Sequence, residues 1–100
     1  MAHPATVNIS PADTPLEAYR QPILQALDQL GGRSPLLNLH PKVVGIMGDA
    51  LKPGDYELDD GKVKYIQAIL VQGAQMIPAG LIKQPLPFVW EITEEGRQLL

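Results

Sequence analysis

The chain has 100 residues, 45% of them hydrophobic, with no cysteine and a formal charge of −3, which is the size and apolar content of one compact domain. Without cysteine there is neither a disulfide framework nor a thiolate metal site, as suits a reducing cytosol. With no signal-peptide pattern and no run of ~20 apolar residues, the expected location is cytoplasmic, away from membranes. The acidic balance also excludes a polybasic coat that would hold nucleic acid without sequence preference.

Residues 1–13 hold two prolines and small polar side chains, and they read as a flexible tail, with Val7-Asn8-Ile9 as an alternative terminal strand. The domain proper is then 14–100. Thr14-Pro15-Leu16-Glu17 predicts a helix start, with Thr as N-cap, Pro at the first helical position and Glu closing a capping box. Leu16, Tyr19, Ile23, Leu27 and Leu30 recur at helical spacing, and Gly31-Gly32 ends the helix. Pro22 inside it predicts a bend or a looser first turn. Arg33 to Leu39, broken by Pro35, reads as a brief edge strand or extended connector. Pro41 opens a second helix with Val44, Met47 and Leu51 on one face and Pro53-Gly54 as its stop. Gly45 and Gly48 weaken it, or let another helix approach closely.

The acidic segment Asp55 to Gly61 reads as a loop before a third helix, which runs from Gly61 or Lys62 to Ile77. Its predicted core positions are Val63, Ile66, Ile69, Leu70, Gly73 or Ala74, and Ile77. Pro78 and Gly80 close it. Leu81 to Lys83 and Phe88 to Ile92 are strand candidates joined by Gln84-Pro85-Leu86-Pro87, a proline-stiffened connection that forms a hairpin tip. Thr93-Glu94-Glu95 starts a short last helix, with Thr as cap and carboxylates in the first turn. The expected class is therefore α+β, a winged helix with a three-helix core, a C-terminal hairpin wing and a short final helix.

In its C-terminal third the chain is similar to a known family. Ala79-Gly80-Leu81-Ile82 and then Val89-Trp90-Glu91-Ile92-Thr93-Glu94-Glu95-Gly96-Arg97-Gln98-Leu99-Leu100 resemble the closing pattern of the N-terminal winged-helix domain of Mrr-type restriction endonucleases. The first helix, Tyr19 to Gly32 with Pro22 and its Gly-Gly stop, also resembles that family, whereas residues 33–75 do so weakly. The resemblance implies a module that delivers a nuclease to DNA. The chain is too short for the nuclease itself and has no Glu-x-Lys pair for its metal core, so a free-standing targeting or regulatory module is expected.

Under the DNA reading, Lys42, Lys62, Lys64, Lys83 and Arg97 contact phosphates, and Gln67, Gln72 or Gln75 contact base edges, since Gln can pair with adenine in the major groove. The alternative is that these are ordinary solvated helix faces. The Asp55-x-Glu57-x-Asp59-Asp60-Gly61 run does not fit a calcium loop, because its glycine falls one place late and the twelfth position is Ile66. It reads as a solvated loop, with Asp59 and Asp60 near a helix N-terminus. His3 and His40, without cysteine, make neither a zinc site nor a nucleophilic triad; His40 reads as a cap or surface residue and Trp90 as a packing residue. No catalytic residue, metal or cofactor is expected. Two functions follow: a winged helix that binds double-stranded DNA, acting as a homodimer, or a protein-interaction or dimerisation module that uses the apolar third helix and proline-rich wing tip. They separate on whether Lys42, Lys62, Lys64 and Lys83 converge on one positive face.

Overall fold

The computed structural model describes residues 13–100, so the Val7-Asn8-Ile9 strand and residues 1–12 of the expected tail lie outside the described residues. Asp13, placed in the tail by the sequence, is buried and paired with Lys64 at 3.3 Å.

A 3₁₀ turn at Leu16–Tyr19 leads into α1, Arg20–Gln29. Pro22 is the third residue of α1. In the first turn a missing amide costs little, and the tighter turn before it carries the chain in, so the helix has the looser start that the sequence allowed. Thr14 does not cap it. Pro15 holds the cap position without a side-chain bond, because the Thr14 hydroxyl is bound to the Asp55 carboxylate and to the Ala50 carbonyl. At the other end Gly31 and Gly32 take φ of 92° and 96°, and Gly32 donates to the Leu27 carbonyl at 2.7 Å. These left-handed conformations suit glycine.

β1, Arg33–Pro35, passes directly into α2, Leu36–Met47. This corrects the expected extended stretch to Leu39. Pro35, at ψ 147°, stands just before the helix, where its fixed φ is compatible with the turn-in, and Pro41 is interior rather than first. The freed amide of Leu36 finds its acceptor outside the helix, in the Phe88 carbonyl at 2.8 Å. The helix also stops earlier than Pro53, because Gly48 turns out of it at φ 48°.

Two 3₁₀ turns, Gly48–Ala50 and Pro53–Tyr56, precede a small hairpin of β2, Leu58–Asp59, and β3, Lys62–Val63. Its central residues Asp60 and Gly61 both have positive φ, 54° and 77°, the signature of a two-residue type I′ turn. The Asp-Gly pair that the sequence presents as loop is thus a hairpin. α3 spans Lys64–Met76, β4 Ile82–Leu86, β5 Val89–Ile92 and α4 Glu94–Arg97. β4 continues through Pro85 to Leu86, beyond the expected end at Lys83, and a register shift between Lys83 and Leu86 absorbs the proline. An edge strand tolerates this, since β4 pairs only with β5 in the order β1-β5-β4. Thr93 caps α4 as expected, accepting from the Gly96 amide at 3.1 Å.

The result is an α+β domain of four helices and a small antiparallel sheet, compatible with a winged-helix-like arrangement. Tyr19, Ile23, Leu24, Ala26 and Leu27 of the first helical stretch meet Leu39, Val43 and Met47 of α2, Ala68, Ile69 and Met76 of α3, and Ile82, Trp90 and Ile92 of the sheet. On α3 the buried positions are Ala68, Ile69, Gln72, Gly73 and Met76. They lie about one residue back from the predicted stripe, roughly a quarter of a helical turn. The reason is Trp90: its ring packs onto α3 at Gly73, so closely that a Cβ there would overlap it.

Two glycines on helices therefore respond oppositely to alanine. Gly45, with nothing within 4 Å of an added Cβ, should gain about 0.5–1 kcal/mol as Gly45→Ala from helix propensity. Gly73→Ala should lose about 1–3 kcal/mol, because a buried indole must move. Urea unfolding of the two variants beside the parent checks both signs.

Candidate interaction surface

Asp55 is the most heavily bonded side chain of the acidic segment. It is buried and accepts from the Thr14 amide at 3.0 Å and the Thr14 hydroxyl, the Tyr19 hydroxyl at 3.1 Å and the Lys52 amide at 2.7 Å. Burial by itself would raise its pKa, but the bonds from Thr14, Lys52 and Tyr19 outweigh it and hold the carboxyl below its ordinary 3.8. Tyr19 moves the other way. Burial, then the charge of Asp55 and the bond to it, pushes the phenol well above 10.0. The segment is a structural clasp, and no group of three or more acidic, His or Cys residues among the described residues could hold a metal ion. Asp59 lies in β2 and Asp60 in the I′ turn, one element before the α3 N-terminus.

The side chains expected on DNA are largely engaged within the fold. Gln72 is buried in the core with its Nε2 unbonded among the described residues, so it does not reach the surface. Gln67 donates to the carbonyls of Asp59 at 3.0 Å and Lys62 at 3.1 Å, tying α3 to the small hairpin. Lys64 is mostly covered and paired with Asp13. Lys83 pairs with Glu91 at 3.2 Å and Arg97 with Asp28 at 2.6 Å. On the outer face of the sheet Glu91 stands between cations from both neighbouring strands, and hydrogen bonds first from Arg33 and then from Lys83 lower its pKa. The side chains of Lys42, Lys62 and Gln75 make no ion pair or hydrogen bond among the described residues. They stand on three different parts of the chain: α2, β3 and the far half of α3.

What the outer side of α3 does display is apolar. Leu70, Ala74 and Ile77 are exposed there and Val71 is half-buried. Leu70 joins Pro35, Leu36, Leu37, His40 and Phe88 around an open cleft of about 400 Å³ whose walls are almost wholly hydrocarbon. Three elements build it: the start of α2, the middle of α3 and the tip of the β4–β5 hairpin. The Leu36-to-Phe88 backbone bond holds the first and last together. His40 is not the surface residue expected; it is half-buried, its Nε2 sealed without a partner among the described residues, and burial lowers its pKa below 6.5. The imidazole is thereby kept neutral at neutral pH. Sequence reasoning assigned Leu70 to the core and Leu37 and Phe88 to extended segments, so it missed the cleft. The signal that could have found it is a helix with apolar residues on more than one face.

No family model, curated protein or solved structure matches the chain.

The clasp sets an acid sensitivity. Because folding lowers the pKa of Asp55, its stabilisation is complete above the ordinary value of 3.8 and is lost as the pH falls through the lower folded value. Asp55→Asn should destabilise the protein by about 1–3 kcal/mol at pH 7, since an amide cannot accept all these donors. Its urea midpoint should also change less than the parent's between pH 5 and pH 2, which pH-resolved unfolding measures.

Proposed function

We propose that the chain is a non-catalytic protein-interaction module on a winged-helix-like frame, and that it recognises its partner with the outer side of α3, the start of α2 and the hairpin tip. Supporting the frame are the element order α1-β1-α2-α3-β4-β5-α4, with the small β2–β3 hairpin inserted between α2 and α3, the sheet order β1-β5-β4 and the resemblance of the C-terminal third to the Mrr-type winged helix. The observation that carries the function is the surface of α3. In a winged helix that reads DNA this helix enters the groove, and much of the hydrogen bonding goes to phosphates. Here that side bears Leu70, Val71, Ala74 and Ile77 beside an apolar cleft.

Electrostatics points the same way. Of the five cations expected on phosphates, Lys64, Lys83 and Arg97 are paired with carboxylates, and the net charge is −3. An exposed apolar patch rimmed by polar residues is the ordinary mark of a protein partner. The absence of cysteine suits action in the cytoplasm.

Fluorescence anisotropy on labelled duplex DNA across a salt series tests this against the DNA reading. The expected outcome is no binding at micromolar protein even at low salt. Micromolar binding that falls with salt, and is weakened in a Lys42→Ala, Lys62→Ala variant, would overturn the proposal.

A further inference from the structure

The turn between β4 and β5 has Pro87 and Phe88 as its central residues, since Leu86 pairs with Val89. Proline fixes a negative φ and Phe88 takes φ 61°, the φ signs of a type II turn, where glycine is usual at the second place. A bulky side chain there is strained. Burial would offset that strain, yet Phe88 is 75% exposed. Within one copy of the chain the turn gains the Leu36-to-Phe88 backbone bond, while the side chain gains little burial.

Next to this projecting ring lies the cleft it helps to line, between Leu36, Leu37, His40 and Leu70. A knob and a hole side by side on one face are what an isologous pair requires, because each copy then offers what the other lacks. None of the lining residues is Asp, Glu, Lys or Arg. Two copies that each carry −3 repel over most of their surface, and this uncharged face is where they can close without opposing like charges. Area agrees. Leu37, Leu70, Leu86 and Phe88 are 84%, 39%, 55% and 75% exposed, so covering them completely would bury roughly 500 Å² per copy and about 1,000 Å² per pair, the lower bound of a specific interface.

We propose that two copies of this chain pair about a two-fold axis, with Phe88 of each seated in the cleft of the other against Leu37 and Leu70. The pairing rests on the interaction reading above and names its partner. Its size makes it weak and dependent on concentration.

Sedimentation equilibrium of the protein and of Phe88→Gly tests it. The parent should shift from monomer to dimer as its concentration rises. Phe88→Gly should weaken the dimer about tenfold or more, while its thermal midpoint is equal or higher, because glycine relieves the turn. In a mixed sample of ¹³C-labelled and unlabelled protein, isotope-filtered NOEs should link Phe88 ring protons of one copy to Leu37 and Leu70 methyls of the other. A parent that stays monomeric up to about 1 mM, or a dimer of undiminished strength in Phe88→Gly, would overturn the pairing. Neither result bears on the anisotropy titration, so the interaction reading fails only if DNA is bound.

Discussion

A single buried carboxylate organises the part of the molecule outside the three-stranded sheet. Asp55 joins the backbone and hydroxyl of Thr14, the phenol of Tyr19 and the amide of Lys52, so one side chain holds the entry to α1, the buried Tyr19 at its N-cap and the turn between α2 and the small hairpin. Without that carboxylate the buried Thr14 amide and Tyr19 phenol would lose their acceptor, and buried polar groups without a partner are costly. The clasp joins Thr14 and Tyr19 to a carboxylate 41 and 36 residues further along the chain. It forms only when they have come together.

From that turn the consequences run to α3. The Asp60-Gly61 hairpin follows directly, the Lys64 amide donates to the Glu57 carbonyl at 2.9 Å, and Gln67 clips the hairpin from the helix side. These contacts set where α3 begins, and Trp90 sets how it is rotated. Gly73 then faces Trp90, small Ala68 lies on the same inner side, and the larger Leu70 and Ile77 are turned outward. A core built around one indole therefore has an apolar exterior as its counterpart. The exposed apolar side of α3 is a consequence of how the helix is seated.

At the opposite end, the Leu36-to-Phe88 bond joins the start of α2 to the hairpin tip. It satisfies a helix amide that no side chain caps, and it draws the strained turn against the cleft. Structural economy and exposure of the ring come from the same hydrogen bond. The sheet contributes rigidity, with Arg33 and Lys83 flanking Glu91 across three strands.

Local chemistry by itself determined the α+β class, the first helix and its Gly-Gly stop, the third helix within a few residues, the Thr93 cap and Trp90 as a core residue. Each follows from spacing of a few residues, or from the φ preferences of glycine and proline, which act wherever the segment lies. Tertiary structure alone decided the rest. Thr14 left its capping role because Asp55, 41 residues away, offered a charged acceptor in the interior. α2 began at Leu36 because the tip of the β4–β5 hairpin took its first amide, and Pro41 was absorbed inside it. The face of α3 could not be read from periodicity, since apolar residues occupy more than one side, and only the depth to which Trp90 reaches at Gly73 selects which of them is buried. The cleft was invisible for the same reason: it is assembled from three segments far apart in the chain, and a pattern along one dimension carries no information about which distant surfaces meet.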